Sequence, residues 1–258
     1  MKSMIIDTSK TSEEITRFIK QTVSHAGFSR VVVGLSGGVD SAVSCVLAVH
    51  ALGAENVYVG LFPFGELNQE GTEDARLVIN QLKIPQKNSR EIDIEALVSP
   101  LIKLDSGMDR LRRGNIAVRT RMILLYDLAK KYNALVLGTE NKTEHLLGYF
   151  TRYGDEASDV EPIMHLYKTQ VRQLAKYLEI QDKIIEKPPT AGMWPGQTDE
   201  GEIGFSYEEA DQILHLYIDQ KKSKEEIKKM GFGLKRMTAV LDRVNKNKFK
   251  HKLPYVLD

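Results

Sequence analysis

The sequence predicts an α/β fold, a doubly wound parallel sheet flanked by helices, followed by a helical C-terminal extension. Short apolar, β-branched runs alternate with helical patterns between residues 27 and 160, as in successive strand–helix–strand units. Two polar segments directly follow two of these runs, where ligands of such sheets bind. Beyond residue 160 the patterns are mainly helical, without a flexible linker. We therefore expect one domain over 1–258, with its core at about 27–160 and the extension at about 161–258.

An amphipathic helix is predicted at residues 11–26, ahead of the sheet. Thr11 and Glu14 have the spacing of a capping box, which would place the start of the helix at Thr11. Apolar residues then recur at helical intervals. This stripe, which we expect to be buried, consists of Ile15, Phe18, Ile19 and Val23.

Four short apolar runs predict the strands, because parallel strands covered on both faces are continuously apolar. They span 30–35, 56–62, 91–94 and 134–138. Helical patterns follow at 41–52, which Gly53 ends, and at 69–82, 115–132 and 168–178. Capping boxes at Ser206 with Glu209 and at Ser223 with Glu226 predict the starts of two further helices.

Composition excludes several classes of protein. The 258 residues carry a formal net charge of +1, which creates no general attraction to nucleic acid or membranes. The lone cysteine, Cys45, excludes an internal disulfide framework; it is expected to be a buried structural thiol, and a reducing cytoplasm is the expected setting. Residues 1–16 are polar, unlike a signal peptide, and no apolar run approaches the ~18 residues of a membrane span.

The segment Ser36-Gly37-Gly38-Val39-Asp40-Ser41 joins a predicted strand to a predicted helix. Its paired glycines let backbone N–H groups approach an anion closely, and the helix start adds positive partial charge. The two serine hydroxyls can donate to phosphate oxygens. Asp40 would repel a bare phosphate, so a bridging cation, Mg²⁺, is expected. The segment is neither a Walker A loop nor a G-x-G-x-x-G motif; a tight turn capped by Asp40 is the alternative.

The segment from Val31 to Ser41 resembles the PP-loop of the ATP pyrophosphatase superfamily, whose members cleave ATP between its α and β phosphates. Further blocks resemble the ammonia-dependent NAD⁺ synthetases, in that family's order over roughly residues 30–253. The longest is GTENKTEHLLGYFTRYGD, residues 138–155. The others are Arg119-Thr120-Arg121-Met122, Asp159, Pro162 with Lys168, 187–192 (KPPTAG), 197–200 (QTDE) and His251-Lys252. The resemblance implies an adenine nucleotide alpha-hydrolase-like fold.

The resemblance also implies a role for individual residues. The implied ATP-binding set is Gly34, Leu35, Ser36, Gly37, Gly38, Val39, Asp40, Ser41, Thr139, Lys168 and Thr190. Asp40 and Glu144 are the implied Mg²⁺ ligands, and Asp40 and Lys168 the implied catalytic residues. The implied deamido-NAD⁺ set is Arg119, Arg152, Asp159, His251 and Lys252. Several relatives have Lys in place of Arg152, so the charge is kept but the geometry of the donor group differs.

The residues alone leave ordinary alternatives open. Glu144 could be a solvated acid at a helix start, Arg119 a member of a surface ion pair, and Lys168 a surface lysine in a first helical turn. The C-terminal members of the deamido-NAD⁺ set lie in a basic tail, and such charge runs are usually solvated. The tail comprises Lys246, Lys248, Lys250, His251 and Lys252.

The implied reaction is the ATP-dependent amidation of deamido-NAD⁺ with ammonia through an adenylated intermediate, the last step of NAD biosynthesis. ATP, deamido-NAD⁺ and ammonia would be the partners, and family members are homodimers. The Pro- and Gly-rich segment 188–204, which contains Trp194, is a candidate lid that keeps water from the adenylate. The chain is too short for an added glutaminase or nitrilase domain, so we expect free ammonia, or a separate subunit that supplies it.

Other functions fit the sequence less well. Enzymes that thiolate tRNA commonly use paired cysteines and a basic surface, and this chain has one cysteine. Glutamine-dependent asparagine synthetases begin with a catalytic cysteine, which is missing near residue 1, and GMP synthetase lacks the 138–155 block. A sensor that holds ATP without turnover would be expected to lack the metal carboxylates, whereas Asp40 and Glu144 are both present.

Overall fold

Four parallel strands form one sheet in the order β3-β2-β1-β4 in the computed structural model, which describes residues 4–252 and 254–255. The strands are β1 (Val31–Gly34), β2 (Val57–Leu61), β3 (Ser89–Glu91) and β4 (Leu135–Leu137). Val31 of β1 aligns with Val57 on one side and Leu135 on the other. The predicted parallel sheet is confirmed.

Helices cover both faces of this sheet, as the predicted doubly wound fold requires. The α-helices among the described residues are α1 (Thr8–His25), α2 (Val39–Leu52), α3 (Gln69–Gln81), α4 (Glu95–Ile102), α5 (Arg110–Tyr132), α6 (Lys142–Leu147), α7 (Lys168–Tyr177), α8 (Asp182–Glu186), α9 (Asp199–Ile203), α10 (Tyr207–Leu214), α11 (Lys224–Lys229) and α12 (Leu234–Asn247). Successive strand residues point to opposite faces. Val31 and Val33 accordingly join a core with α1, α2, α3 and α7, whereas Val32 joins a second core with α4 and α5.

The C-terminal extension has a core of its own beside the sheet. In it α10 packs on α6 and α7, and α12 packs on α6 and α10. Tyr167, Ile213, Leu214 and Met237 are buried there. The extension therefore holds α6 and the start of α7, two of the helices that border the carboxyl edge of the sheet.

Two predicted elements differ from the structure. The helix predicted from Thr11 begins at Thr8, because the side chain of Asp7 caps it by accepting from the Lys10 N–H. The strand predicted at 91–94 is formed by Ser89–Glu91. It is an edge strand with exposed polar side chains, which the apolar pattern could not detect. The chain continues along β2 beyond it, since the Ile92 N–H donates to the Leu61 carbonyl at 2.9 Å.

Smaller differences concern boundaries. α5 begins five residues before the predicted position, at Arg110, because Asp109 caps a polar first turn that has no apolar pattern. Helix α4 was not predicted. The prediction for Cys45 is confirmed: the thiol is buried in α2, and burial raises its pKa to about 12. Among the described residues, none of the helices combines the length and apolar character needed to cross a bilayer.

Adjacent residues of α1 give a matched test of its packing. The predicted apolar stripe was wrong for Phe18, which is 44% exposed, whereas Ile19 is fully buried. We expect Ile19→Ala to lower the free energy of unfolding by about 2–5 kcal/mol, because it leaves a cavity in the core. Phe18→Ala should cost about 1 kcal/mol or less. Urea unfolding followed by circular dichroism measures both, and equal losses would contradict the orientation of α1.

Candidate active site

A cavity of about 1100 Å³ opens at the carboxyl edge of the sheet. The loop after β1, the residues after β4, the start of α7 and the 188–204 segment line it. Ligand pockets usually enclose roughly 300–1,000 Å³, so this cavity has room for more than one small ligand. Its position is the one predicted from the polar segments that directly follow two strands.

The loop between β1 and α2 forms one wall of the cavity. Gly38 caps α2 without a side-chain hydrogen bond, so the first N–H groups of that helix remain available to an anion. Ser41 Oγ donates to the Gly38 carbonyl at 3.0 Å and lies 3.1 Å from Ser36 Oγ, which fixes the loop internally. The structure therefore has the turn geometry that the phosphate-loop prediction requires.

Gly37 and Gly71 bring this loop into direct contact with α3. Gly37 has a φ of +80°, and a Cβ atom there would overlap the Gly71 carbonyl. A Cβ atom on Gly71 would in turn lie 2.6 Å from the Ser36 carbonyl oxygen. Only glycine permits this double approach, so α3 supports the loop from behind.

Asp40, Lys168 and Glu144 meet beside this loop. Lys168 Nζ lies 2.5 Å from Asp40 Oδ2 and 3.0 Å from Glu144 Oε1. Asn141 Nδ2 donates to the other Asp40 oxygen at 2.9 Å, and Asn141 and Glu144 form a capping box at the start of α6. Glu144 is thus a helix-start acid, but its side chain is only 16% exposed. Lys168 begins α7 and is buried, so its interpretation as a surface lysine is wrong.

Acidic charge exceeds basic charge in this cluster. Burial raises the pKa of Glu144, Lys168 lowers it, and Asp40 and Asp199 raise it again, to about 8. Burial lowers the pKa of Lys168, but Asp40 and Glu144 outweigh burial and leave it above its ordinary value. Lys168 is therefore charged, and the raised pKa of Glu144 reflects the crowding of carboxyl groups around it, which a further cation would relieve.

Mg²⁺ fits this donor set in part. Mg²⁺ commonly binds one or two carboxylates and completes its shell with water and substrate phosphates. Asp40 and Glu144 are two such carboxylates, beside the wall where a phosphate would lie. Within residues 4–252 and 254–255, no group of three or more His, Cys, Asp or Glu side chains is arranged to hold a metal. Phosphate oxygens and water would have to complete the coordination.

Asp211 fixes the position of Lys168 from the C-terminal extension. It is fully buried in α10, and it accepts from Thr143 Oγ1 at 2.5 Å and from the Thr169 N–H at 2.8 Å. Thr143 in turn accepts from the Lys168 N–H at 2.9 Å. Asp211 was not among the predicted residues, because an acid within an amphipathic helix gives no signal of a contact 68 residues away.

Two tyrosines form a second part of the site that the sequence analysis missed. Tyr207 donates to Asp199 at 3.0 Å. The Tyr149 hydroxyl lies 3.0 Å from Asp199 Oδ1 and 2.5 Å from Glu202 Oε2, and its single proton is donated to one of them at a time. Both phenols therefore hold Asp199 in place beside the Lys168 cluster. Tyr149 and Asp199 fall within two of the family-like blocks, and this was the one indication in the sequence that they belong to the site.

The predicted deamido-NAD⁺ residues divide into two groups. Arg119 and Arg152 line the cavity together, and Arg119 Nε donates to the Arg152 carbonyl at 3.1 Å. Asp159, His251 and Lys252 do not line it. Asp159 accepts from the Val136 N–H at 2.8 Å, and the His251 ring lies 4.3 Å from the ring of His145. One chain thus brings together only the two arginines of this set.

The remaining predicted ATP residues face the same cavity. Thr139 and Thr190 both line it, the former directly after β4 and the latter in the 188–204 segment. Thr190 Oγ1 accepts from the Gly192 N–H at 3.1 Å. Trp194, in the same segment, is a lining residue as well. The structure therefore places the whole predicted ATP set around one space.

Comparison with known proteins gives a consistent picture. Residues 11–254 match the family model described as NAD synthase. The chain is 39% identical, over 99% of its length and 98% of the relative's, to the NH3-dependent NAD⁺ synthetase of Fusobacterium nucleatum subsp. nucleatum. The NMN synthetase structure from Francisella tularensis superposes with a TM-score of 0.86 at 31% identity, covering 98% of this chain and 100% of that one. The NH3-dependent NAD synthetase of Campylobacter jejuni, solved with a nitrate ion, gives 0.84 at 34% identity with the same coverage.

Gly37→Ala tests the contact between the loop and α3. We expect it to cost more stability than Gly53→Ala, because Gly53 has a φ of +82° but nothing lies within 4 Å of an added Cβ. The control isolates the backbone penalty of a positive φ, about 1–3 kcal/mol; the overlap with Gly71 should add about 1–3 kcal/mol to it. Thermal unfolding of both variants measures the difference, and equal melting temperatures would contradict the close contact.

Lys168→Met tests the charge balance of the cluster. It keeps the aliphatic stem but leaves buried carboxylates without their cation, which should lower the free energy of unfolding by about 3 kcal/mol. Mg²⁺ should recover part of this loss by supplying positive charge. Lys87→Met is the control, since Lys87 is 76% exposed and pairs with the similarly exposed Glu55, and it should cost about 1 kcal/mol or less. If Lys168→Met lowers the free energy of unfolding no more than the control variant does, Lys168 does not balance the charge of the buried carboxylates.

Proposed function

The chain belongs to the NAD synthase family, and on this basis we propose that it amidates the nicotinate carboxylate of deamido-NAD⁺ with ammonia. ATP drives the reaction and leaves as AMP and pyrophosphate. The observation that carries the proposal is the meeting of the phosphate loop with Asp40, Lys168 and Glu144 at one wall of a cavity that Arg119 and Arg152 also line. An adenylation site needs a loop that binds phosphate, charged side chains that offset the charge of the phosphates, and room for two substrates.

The first step is the attack of the carboxylate oxygen on the α-phosphorus of ATP. A carboxylate cannot react directly with ammonia because oxide is a poor leaving group, whereas AMP is a good one. The N–H groups at the start of α2 and the ammonium of Lys168 face the phosphates and oppose the charge that grows on the departing pyrophosphate. Mg²⁺, held by Asp40 and Glu144, would add a Lewis acid on the phosphate oxygens.

The second step is the attack of ammonia on the acyl carbon of the adenylate, which expels AMP and leaves the amide. Water competes for the same carbon, so the site must exclude it. The 188–204 segment lines the cavity, with Trp194 and Pro189 among its lining residues. This position supports the role of a lid.

The binding of the dinucleotide is assigned to Arg119 and Arg152 in one chain. For Asp159, His251 and Lys252, which lie outside the cavity lining, we assign the same role in a homodimer whose interface adjoins the site. Exposed apolar side chains on and around α4 and α5 support such an interface. They are Leu97, Leu101, Leu104, Leu111 and Ile123. We further assign the chain to one domain and to the cytoplasm, where ATP is available and a buried free thiol such as Cys45 is stable.

The likeness to an NMN synthetase supports a second candidate substrate, the mononucleotide form of the acid. Both substrates carry the same nicotinate carboxylate, so the adenylation chemistry would be identical. They differ in whether an adenylyl half must be accommodated. The cavity of about 1100 Å³ favours the dinucleotide, because ATP and a dinucleotide together need a large space.

An assay with Mg²⁺, ATP, ammonium and either deamido-NAD⁺ or nicotinic acid mononucleotide separates these candidates. We expect NAD⁺, AMP and pyrophosphate in equal amounts, and a kcat/KM for the dinucleotide at least tenfold above that for the mononucleotide. Chromatography of the nucleotides measures all products. Formation of ADP and phosphate would exclude the proposed chemistry, and a preference for the mononucleotide would reassign the substrate.

Asp40→Asn and removal of Mg²⁺ test the metal-binding role. The variant should keep its melting temperature within a few degrees but lose at least a hundredfold in kcat, because a carboxylate beside the phosphates becomes neutral. EDTA should abolish turnover of the unmodified protein, and excess Mg²⁺ should restore it. Asp182→Asn, at an exposed position on α8, is the control and should retain full activity. Near-normal activity of Asp40→Asn would remove Asp40 from the site.

A further inference from the structure

We propose that Asn68, held in place by Arg121, is the catch that fastens the 188–204 segment across the cavity. This makes Asn68 a positioning residue for the reaction above, and the inference rests on that proposed function. Asn68 Nδ2 donates to the Gly192 carbonyl at 3.2 Å, so a side chain ahead of α3 reaches a backbone group 124 residues away. The sequence predicted no such role for Asn68 or for Arg121.

Arg121 determines which way the Asn68 amide points. Its Nη2 donates to Asn68 Oδ1 at 3.1 Å, and its Nε donates to the Phe62 carbonyl at 3.0 Å. A guanidinium can only donate, so it must face the oxygen of the amide and not the nitrogen. The nitrogen of Asn68 is thereby directed at Gly192. Burial lowers the pKa of Arg121 to about 10, which leaves it charged at neutral pH.

The backbone of the segment is shaped to receive this amide. Gly192 has a φ of +59°, and a Cβ atom there would overlap Asn68 Nδ2. Glycine is required at this point both for its conformation and for the close approach. The positive φ of Gly192 thus accompanies the hydrogen bond and leaves room for the Asn68 amide against the backbone.

Helix α3 and the turn before it hold the segment at two places. Lys187, directly before the segment, pairs with Asp74 of α3 at 2.9 Å and with Glu70 at 3.2 Å. Asn68 holds Gly192 five residues further on. Because Gly71 of α3 also supports the phosphate loop, the same element positions the ATP phosphates and the cover above them. Loss of Asn68 should therefore leave the base of the segment fixed and release its middle.

A released segment would admit water to the adenylate. Water then adds to the acyl carbon, the bond from that carbon to the phosphate-bearing oxygen breaks, and AMP leaves. The original carboxylate is regenerated, and one ATP is consumed without amide formation. The ratio of AMP to NAD⁺ therefore reports how well the segment is closed during turnover.

Asn68→Asp removes the hydrogen bond to Gly192 but keeps the contact with Arg121. An aspartate at this position still accepts from Arg121, but it cannot donate to the Gly192 carbonyl. Trp194 is the sole tryptophan of the chain and lies two residues from Gly192, so its fluorescence reports this segment alone. Asn56→Ala is the matched control, since Asn56 makes a comparable bond to the Leu52 carbonyl at 2.8 Å beside the end of α2.

The experiment measures acrylamide quenching of Trp194 in the protein without substrates, and then the AMP to NAD⁺ ratio. We expect Asn68→Asp and Asn68→Ala to raise the open fraction of the segment about two- to tenfold, the range that one net hydrogen bond supports. Acrylamide quenching of Trp194 should increase, and the ratio of AMP to NAD⁺ should rise above one. For NAD⁺ formation, KM should change more than kcat. Asn56→Ala should match the unmodified protein.

The outcomes are distinguishable. Unchanged quenching and an unchanged product ratio in Asn68→Asp would overturn the catch, provided that its melting temperature shows a folded protein. If Asn68→Asp is unfolded, the same comparison is made with Asn68→Ala, where unchanged quenching also overturns it. Increased quenching in a protein that never forms NAD⁺ would support the catch and refute the proposed function, because the fluorescence measurement requires no turnover.

Discussion

The buried ammonium of Lys168 is the contact on which the site depends. It joins Asp40 from the phosphate loop, Glu144 from α6 and the start of α7, which the extension supports. A buried ion pair often contributes little net stability compared with an apolar replacement, whereas removal of one partner is costly. We therefore attribute this buried ion pairing to the need for charge beside the ATP phosphates, and not to a contribution to the stability of the fold.

The rest of the structure fixes the relative positions of these three charged side chains. The β1–β4 pairing puts the loop and α6 at the same edge of the sheet. Asp211 from the extension ties Thr143 of α6 to the first turn of α7. Gly37 and Gly71 fit the loop against α3, whose preceding turn reaches the 188–204 segment. The site is thus built from residues distant in sequence, each held by backbone geometry.

The sequence predicted the parts of this structure that leave a local pattern. Continuous apolar runs predicted β1, β2 and β4, and the glycines around Ser36 predicted the loop. β3 was misplaced because an edge strand has polar, exposed residues, and Phe18 was misassigned because a helical repeat fixes a face only approximately. The resemblance to a family supplied Lys168 and Glu144, whereas their burial and pairing depend on packing. The roles of Asp211, Asn68 and Arg121 could not be predicted, although Arg121 lies in a family-like block, since these roles consist of contacts between distant segments.

The proposed reaction requires the substrate carboxylate to attack the α-phosphorus of ATP in this site. Deamido-NAD⁺ labelled with ¹⁸O in the nicotinate carboxylate tests it directly, because the attacking oxygen stays on phosphorus when ammonia displaces AMP. Mass spectrometry of the products should find one labelled oxygen in AMP and none in pyrophosphate. Unlabelled AMP, or label in pyrophosphate or free phosphate, would contradict the adenylate pathway.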